Sequence, residues 1–285
     1  MDRDRLPQCY SSCVPAITSR QNPIVARFHA AARGESAELL LLDGVHLIEE
    51  ALGAGIRVSE AAITREAGTT SVRPEVAELA DRLQTRGIAV ATVSAAVMDA
   101  LSPVRSASPV VALAERPVAA GPRVYRDTPL VVIAIDVQDP GNVGAIVRVA
   151  EAGGASGVVC AGACADPFGW KALRGSMGSA LRLPVLVHRD VREAIDEARR
   201  HGCRIVATSP RGGRPLFASD LRGPIALLVG GEGRGLTPSQ IEAADERVVI
   251  PMQPPVESLN TAVTAAVVVY EAYRQKMLDH GGHGG

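Results

Sequence analysis

The chain has 285 residues, of which 47% are hydrophobic and 3% aromatic, and its formal net charge is −1. That length suits one large or two ordinary domains, with cores built mostly from Ala, Val, Leu and Ile. No apolar run reaches the roughly 20 residues of a membrane-spanning helix, and Met1-Asp2-Arg3-Asp4-Arg5 leads into no apolar signal segment, so a cytoplasmic protein is expected.

Residues 1–16 are charged and aperiodic and read as disordered. Short apolar strands follow at Leu39–Leu42, Ala61–Ile63, Ile88–Val93 and Val110–Leu113. Helical patterns lie between them: one carries Val45, Leu47, Ile48 and Ala51, a second opens at Pro74, and a third is capped by Ser94. Residues 17–114 thus read as a small alternating α/β unit. Residues 115–129 hold three prolines and no period, and read as a linker. Strands are then expected at Leu130–Ile135, Gly157–Val159, Pro184–Val187, Arg204–Ala207, Ile225–Val229 and Val248–Ile250. Helices are expected at Pro140–Ala152, Pro167–Ala180, Val191–Arg200, Pro238–Ala244 and Leu259–Lys276. Continuously apolar strands are covered on both faces, which implies a mostly parallel sheet over 130–278. Residues 279–285 read as a flexible tail.

The cysteines argue for little. Cys9 and Cys13, like Cys160 and Cys164, are four apart, with Cys203 alone. Metal pairs are usually closer, with further ligands nearby, so reduced structural thiols and no metal are expected. His280 and His283 fall in the Gly-rich tail. Charge is unevenly spread. From Lys171 to Arg214 there are ten basic residues against four acidic ones, and 28 of the 30 basic residues in the chain are Arg. A compositional bias explains the Arg excess as well as function does, but the clustering suits phosphate contacts.

Three segments carry possible chemistry. In Ile135-Asp136-Val137-Gln138-Asp139-Pro140-Gly141-Asn142-Val143-Gly144-Ala145-Ile146-Val147-Arg148 a buried strand ends, Asp139 caps a helix and Pro140 takes its first position. Val143, Ile146, Val147 and Ala150 form the apolar stripe. Arg148 lies nearly opposite, as a solvated arginine or as one held beside a phosphate. In Gly230-Gly231-Glu232-Gly233-Arg234-Gly235 four glycines follow a strand, more than a tight turn needs, and surround one carboxylate. In Ile250-Pro251-Met252 … Ser258-Leu259-Asn260 a loop enters the last helix. Ser258 is a natural N-cap there, and Leu259, Val263, Ala266, Val267 and Tyr270 make the core face. Ser258 and Asn260 read either as capping groups or as ligand holders at a positive helix end.

In order and spacing these segments resemble the SpoU/TrmH family of RNA ribose 2′-O-methyltransferases, of the SPOUT superfamily. The matching residues are Asn142 and Arg148, then Gly230, Glu232 and Gly235, then Ile250-Pro251-Met252 with Ser258-Leu259-Asn260, across about 150 residues. Ser19-Arg20-Gln21-Asn22-Pro23 and Asp43-Gly44-Val45-His46-Leu47-Ile48-Glu49-Glu50 are similar to the opening of the ribosomal-protein L30e-like substrate-binding domain often attached to that family.

The resemblance implies an α/β fold with a C-terminal trefoil knot, S-adenosylmethionine as cofactor, and a homodimer whose active sites use both chains. It implies cofactor contacts at Gly230, Gly231, Ile250, Met252 and Leu259, with Thr208 added. It also implies catalytic or positioning roles for Asn142, Arg148, Glu232, Ser258 and Asn260. Ribosomal RNA is the expected substrate, with tRNA as the alternative. The family pattern points to Arg148 for taking the hydroxyl proton, yet arginine is normally locked in its protonated form. Either an adjacent phosphate or water takes the proton while Arg148 fixes the phosphate, or a perturbed Arg148 acts itself. A catalytically idle RNA-binding or ribosome-assembly factor is the reading from another class. A dehydrogenase is disfavoured by the missing G-x-G-x-x-G fingerprint.

Overall fold

The computed structural model describes residues 16–65, 72–104, 106–118 and 120–281, the last three without their side chains. The expectations for the first fifteen residues, for most of the tail, and for Cys9, Cys13, His280 and His283 lie outside that description. The chain divides into two compact units at Arg116/Pro117.

The first unit runs α1 (Pro23–Ala32), β1 (Leu39–Asp43), α2 (Val45–Gly53), β2 (Val58–Thr64), α3 (Pro74–Thr85), β3 (Ala89–Val93), α4 (Ala95–Leu101) and β4 (Val110–Glu115). Its four strands form one sheet in the order β1-β4-β2-β3. β4 pairs antiparallel with both neighbours and β2 with β3 in parallel. Helix α1 was not foreseen, although Asn22 caps it through the Ile24 amide and Pro23 opens it. Where β1 ends, buried Asp43 accepts hydrogen bonds from Ser102 (2.6 Å) and Ser108, so its charge is not left bare in the core.

The second unit runs β5 (Leu130–Ile135), α5 (Pro140–Ala152), β6 (Gly157–Ala161), α6 (Trp170–Ser176), α7 (Ser179–Arg182), β7 (Val185–His188), α8 (Val191–Arg200), β8 (Arg204–Thr208), β9 (Arg214–Pro215), β10 (Ile225–Gly230), α9 (Pro238–Glu242), β11 (Glu246–Val249) and α10 (Thr261–Gly281). Seven strands form one sheet in the order β7-β6-β5-β10-β8-β11-β9. Every pairing in it is parallel. Strand β5 is buried along its whole length, as its unbroken apolar sequence requires.

Four expectations need correction. The stretch 115–129 is not a free linker: Gly121–Tyr125 forms a 3-10 turn that buries Val124 and Tyr125 in the second unit's core beside Ile195 and Cys203. Its prolines and glycine shape a packed turn, which composition alone cannot tell from a tether. The helix expected over Pro167–Ala180 breaks after Ser176, where Met177 (φ 50°) and Gly178 (φ 85°) turn left-handed. The last helix is capped by Asn260, whose Oδ1 accepts from the amides of Ala262 (2.8 Å) and Val263 (3.2 Å), and not by Ser258. Its buried face holds Ala262, Ala265, Val268, Val269 and Ala272, while Val263 and Tyr270 stand 47% and 49% exposed. The alanines let α10 approach α5 so closely that a Cβ on Gly153 would come within 2.3 Å of Val269. Packing therefore selects the small residues, and the large ones turn outward.

The topology leaves a crevice. β5 leads through α5 to β6 on one side, and its neighbour β10 leads through α9 to β11 on the other. Adjacent parallel strands whose connections depart in opposite directions open a cleft at their carboxyl ends. The loops of the first two sequence segments start there.

Candidate active site

A cavity of about 620 Å³ lies at the carboxyl ends of β8, β10 and β11, within the roughly 300–1,000 Å³ of small-molecule sites. Its walls include Thr208, Gly230, Gly231, Glu232, Ile250, Met252, Ser258, Leu259 and Asn260. Every residue singled out for cofactor contact therefore lines one cavity, together with three of the five singled out for catalysis.

The glycine loop is shaped by backbone packing against backbone. A Cβ on Gly230 would come within 2.4 Å of the Gly235 carbonyl carbon, and one on Gly231 within 2.1 Å of the Asp136 oxygen. The Gly231 amide donates to the Ile135 oxygen (2.8 Å), and its carbonyl accepts from the Gly235 amide (3.2 Å). Thr261, which no motif singled out, donates its hydroxyl to the Gly230 oxygen (2.7 Å) and ties α10 to the loop. Thr208 donates to the Leu228 oxygen (3.0 Å), so its hydroxyl is already engaged within the sheet.

The wall across from this loop is different. Ile250, Met252 and Leu259 line the cavity, half-buried, and their main chains make no hydrogen bond to another described residue. Half-buried backbone groups need partners. A ligand with a polar, flat heterocycle fits here, with apolar contacts from Leu236, Ile241 and Val248. The residues present thus suit S-adenosylmethionine.

At the cavity mouth the three segments meet. Asn142, on the first turn of α5, donates its Nδ2 to Glu232 Oε1. Its Oδ1 accepts from Asn260 Nδ2 (3.0 Å). Asn260 in turn spends its own Oδ1 on the α10 amides. Each amide orientation is thereby fixed by the next group, since an amide presents its donors and its acceptor on opposite sides. Asn142 itself is held because Asp139 accepts from its backbone amide (2.9 Å).

Arg148 does not join them. It lies six residues further along α5, about 9 Å along the axis and a third of a turn around. It is exposed and makes no hydrogen bond or ion pair among the described residues. Within a single chain it stands outside the cavity. Two other arginines, Arg211 and Arg234, do line it; Arg211 pairs with exposed Glu257 (2.9 Å).

The basic stretch also looks different in three dimensions. Arg182 pairs with Glu151, Arg199 with Asp245 and Arg204 with Glu246. Those carboxylates lie outside the segment, so a local count of charge missed them. Lys171, Arg189, Arg192 and Arg200 remain exposed with no ion pair among the described residues. Buried Cys160 and half-buried Cys164 are free thiols facing each other, and their mutual hydrogen bond raises the first and lowers the second.

Fold and site together define an α/β enzyme that holds a small ligand at parallel strand ends against loops far apart in sequence. Residues 129–270 match the SpoU rRNA Methylase family, and residues 14–127 match the N terminus of the thiostrepton-resistance methylases. The chain is 32% identical to an uncharacterised tRNA/rRNA methyltransferase of Synechocystis, over 93% of this chain and 96% of that protein. It is 31% identical to the 23S rRNA (guanosine(2553)-2′-O)-methyltransferase RlmP of Bacillus subtilis, over 86% of this chain and 92% of that protein. The crystal structure of the SpoU methyltransferase AviRb from Streptomyces viridochromogenes, in complex with AdoMet, superposes with a TM-score of 0.77 at 30% identity, covering 90% of this chain and all of that one. The chain belongs to the SpoU rRNA methylase family.

Proposed function

We propose that this protein transfers a methyl group from S-adenosylmethionine to a ribose 2′-hydroxyl of ribosomal RNA, acting in the cytoplasm as a homodimer. The observation that carries the proposal is the junction of Asn142, Glu232 and Asn260 at the mouth of the cavity. It joins the three motif segments at one point, beside a chamber sized for the cofactor. The naming of RlmP as a 23S rRNA 2′-O-methyltransferase favours ribosomal RNA over tRNA.

When bound, S-adenosylmethionine supplies an electrophilic methyl on a cationic sulfur. The free main-chain groups of Ile250, Met252 and Leu259 hold its polar edges, and the Gly230–Gly231 turn leaves room for its body. The apolar wall keeps water from the methyl. Asn142, Glu232, Ser258 and Asn260 face the incoming ribose, and Arg148 grips an RNA phosphate. The outward stripe of Val263, Tyr270 and Met277 on α10, 47%, 49% and 56% exposed, gives a second copy an apolar surface to cover. Dimerisation then brings the partner's Arg148 to a cavity its own chain does not reach. The first unit, with its L30e-like character, and exposed Arg189 and Arg192 add grip on the RNA. A trefoil threading of the segment after β11 belongs to the same reading, supported by the return of that segment onto β10 through Thr261.

Methyl-labelled S-adenosylmethionine, incubated with the protein and separately with 23S rRNA, 16S rRNA and tRNA, tests the proposal. Label is expected in 23S rRNA as an alkali-resistant 2′-O-methylated dinucleotide. Label on a base, or in no RNA, would overturn it.

A further inference from the structure

Two cysteines stand where the loop after β5 meets the loop after β6, and the proposed methyl transfer makes no use of either. Cys160 is the fourth residue of β6 and is buried; Cys164 lies four positions on, in the loop, and is half-buried. Gly162 (φ 73°) bends the chain between them. Cys164 Sγ thereby returns to 3.2 Å from the oxygen of Ala134, the β5 residue in register with Cys160, and the two thiols hydrogen-bond to each other. We propose that Cys160 and Cys164 form a peroxide-reactive dithiol that closes to a disulfide, and that its closure loosens the start of α5.

Reactive thiol pairs divide the work between an accessible sulfur that attacks and a neighbour that resolves. Cys164 has the access. The Cys160 thiol and the Val137 amide (3.4 Å) both point donors at its sulfur, which favours the thiolate. The Cys160 contact, foremost, holds the Cys164 thiol below its ordinary value of 9.0, although burial opposes it. Cys160 gives that hydrogen bond and is enclosed, so its own thiol is raised and keeps its proton. Cys203 is the contrast: it is buried, and burial pushes its thiol up to about 11.

The step balances. The Cys164 thiolate attacks one oxygen of hydrogen peroxide, the O–O bond breaks, and the departing hydroxide takes up a proton to become water. Cys164 is left as a sulfenic acid. The Cys160 sulfur then attacks the Cys164 sulfur, the S–S bond forms, the S–O bond breaks, and hydroxide leaves with the Cys160 proton as a second water. Two thiols lose two electrons and one peroxide gains them. A dithiol reductant reverses the change, as it does for the transient disulfides of reducing compartments.

The two loops are stitched together beside this pair. The Asp136 amide donates to the Ala161 oxygen (3.1 Å), the Ala163 amide to Asp136 Oδ1 (2.8 Å) and the Ala165 amide to the Val137 oxygen (2.9 Å). The Val137 amide has the Cys164 sulfur as its acceptor. Strand pairing on both sides anchors Cys160, so closure draws Cys164 toward it and off that amide. Val137 is buried and lies two residues before the Asp139 cap of α5. A buried amide stripped of its acceptor destabilises the turn that holds it.

The test uses the full chain with Cys9→Ser and Cys13→Ser, reduced, treated with hydrogen peroxide, then alkylated and digested without reductant. The peptide holding Cys160 and Cys164 should lose two hydrogens, escape alkylation and reopen with dithiothreitol, while Cys203 stays alkylatable. Adding Cys160→Ala, a small apolar replacement, should leave a Cys164 sulfenic acid that dimedone traps. Deuterium uptake over residues 136–142 should quicken at least about threefold on oxidation, the worth of one weak hydrogen bond, and return on reduction. Oxidation of Cys164 no faster than that of Cys203, or a sulfenic acid persisting at Cys164 beside free Cys160, would overturn the dithiol. Unchanged uptake in the oxidised protein would overturn its coupling to α5. If Cys160→Ala does not fold, the peptide map of its parent still decides, and none of these readouts depends on methyl transfer.

Discussion

Asn142 is the residue on which most of the site's geometry turns, and its amide does what no isostere can. Replacing it with Asp sets a carboxylate against Glu232. Two unit charges about 4 Å apart near a surface repel by roughly 1–4 kcal/mol. Asn142→Asp should therefore lower the single-turnover rate at least tenfold, while calorimetry shows cofactor affinity little changed, because Asn142 does not line the cavity. Equal loss of both would show that the junction shapes the cavity itself. The sequence pointed to Asn142, Glu232 and Asn260 by motif, but not to their contact: residues 142 and 232 are 90 positions apart and residues 142 and 260 are 118 apart. Local pattern carries no information on such pairs. It did carry the Asp139 cap and the Pro140 start, since both are settled within one turn of helix. Between Ser258 and Asn260, two good caps two residues apart, local pattern had no means to choose.

Helix α10 is the element with two faces, and each makes a prediction. On the inner side, Glu271 is 5% exposed and accepts hydrogen bonds from Arg274 (2.8 and 2.7 Å) and Gln275 (2.8 Å). Gln275 in turn accepts from the Leu221 amide (2.8 Å) and donates to the Ser219 oxygen (2.9 Å). The Arg274 guanidinium, foremost, holds the Glu271 carboxyl below its ordinary value of 4.5. A carboxyl with a depressed folded pKa adds stability that is present above its unfolded pKa and lost as pH falls through the folded one. Denaturant midpoints of wild type should thus drop more steeply below about pH 4.5 than those of Glu271→Gln, which starts lower at pH 7. Parallel curves would refute this.

On the outer side, Val263, Tyr270 and Met277 recur at seven-residue spacing and share a face. Sedimentation of wild type should give a dimer, and Val263→Asp with Tyr270→Asp a monomer of unchanged circular dichroism with at least a tenfold loss of methylation. A wild-type monomer would remove the shared site. The apolar period of this helix was legible in the sequence, but its phase was not. Both its faces are apolar, and the depth of approach permitted by Ala262, Ala265 and Ala272 decided which one turned inward.

At the scale of the whole molecule, charge is distributed more economically than the sequence suggested. With a net charge of −1, binding of a polyanion must rely on local features. Arg182, Arg199, Arg204, Arg211 and Arg214, half of the basic stretch, pair with carboxylates outside it, while Lys171, Arg189, Arg192 and Arg200 are exposed with no ion pair among the described residues; Arg189 and Arg192, between β7 and α8, are the pair to test. Reversing both to Glu should weaken RNA binding and flatten its dependence on salt by about two phosphate contacts, without altering cofactor affinity. Filter binding across salt concentrations checks this; unchanged slopes would move the RNA elsewhere. The two-unit layout was legible in the sequence, as was the parallel sheet, because unbroken apolar strands and alternating helices leave few other packings. The division at Arg116/Pro117 falls within the Pro-rich stretch 115–129, but the packing of Gly121–Tyr125 into the second unit was not legible, since a Pro-rich turn that packs and one that dangles share a composition.

The hydrogen bond between Asn142 and Asn260 has a consequence for when the protein becomes competent. It closes a loop of 118 positions, and contacts so distant in sequence form late and slowly. A nascent chain cannot assemble the cavity until residue 260 has been made and docked onto β10. Once the cavity is complete, ligand occupancy and the folding of the second unit become one equilibrium. Saturating cofactor at about a hundred times its dissociation constant then adds roughly 2.7 kcal/mol to the stability of the native state, a gain that requires α10 to stay docked, because Asn260 and Thr261 at its start line the cavity.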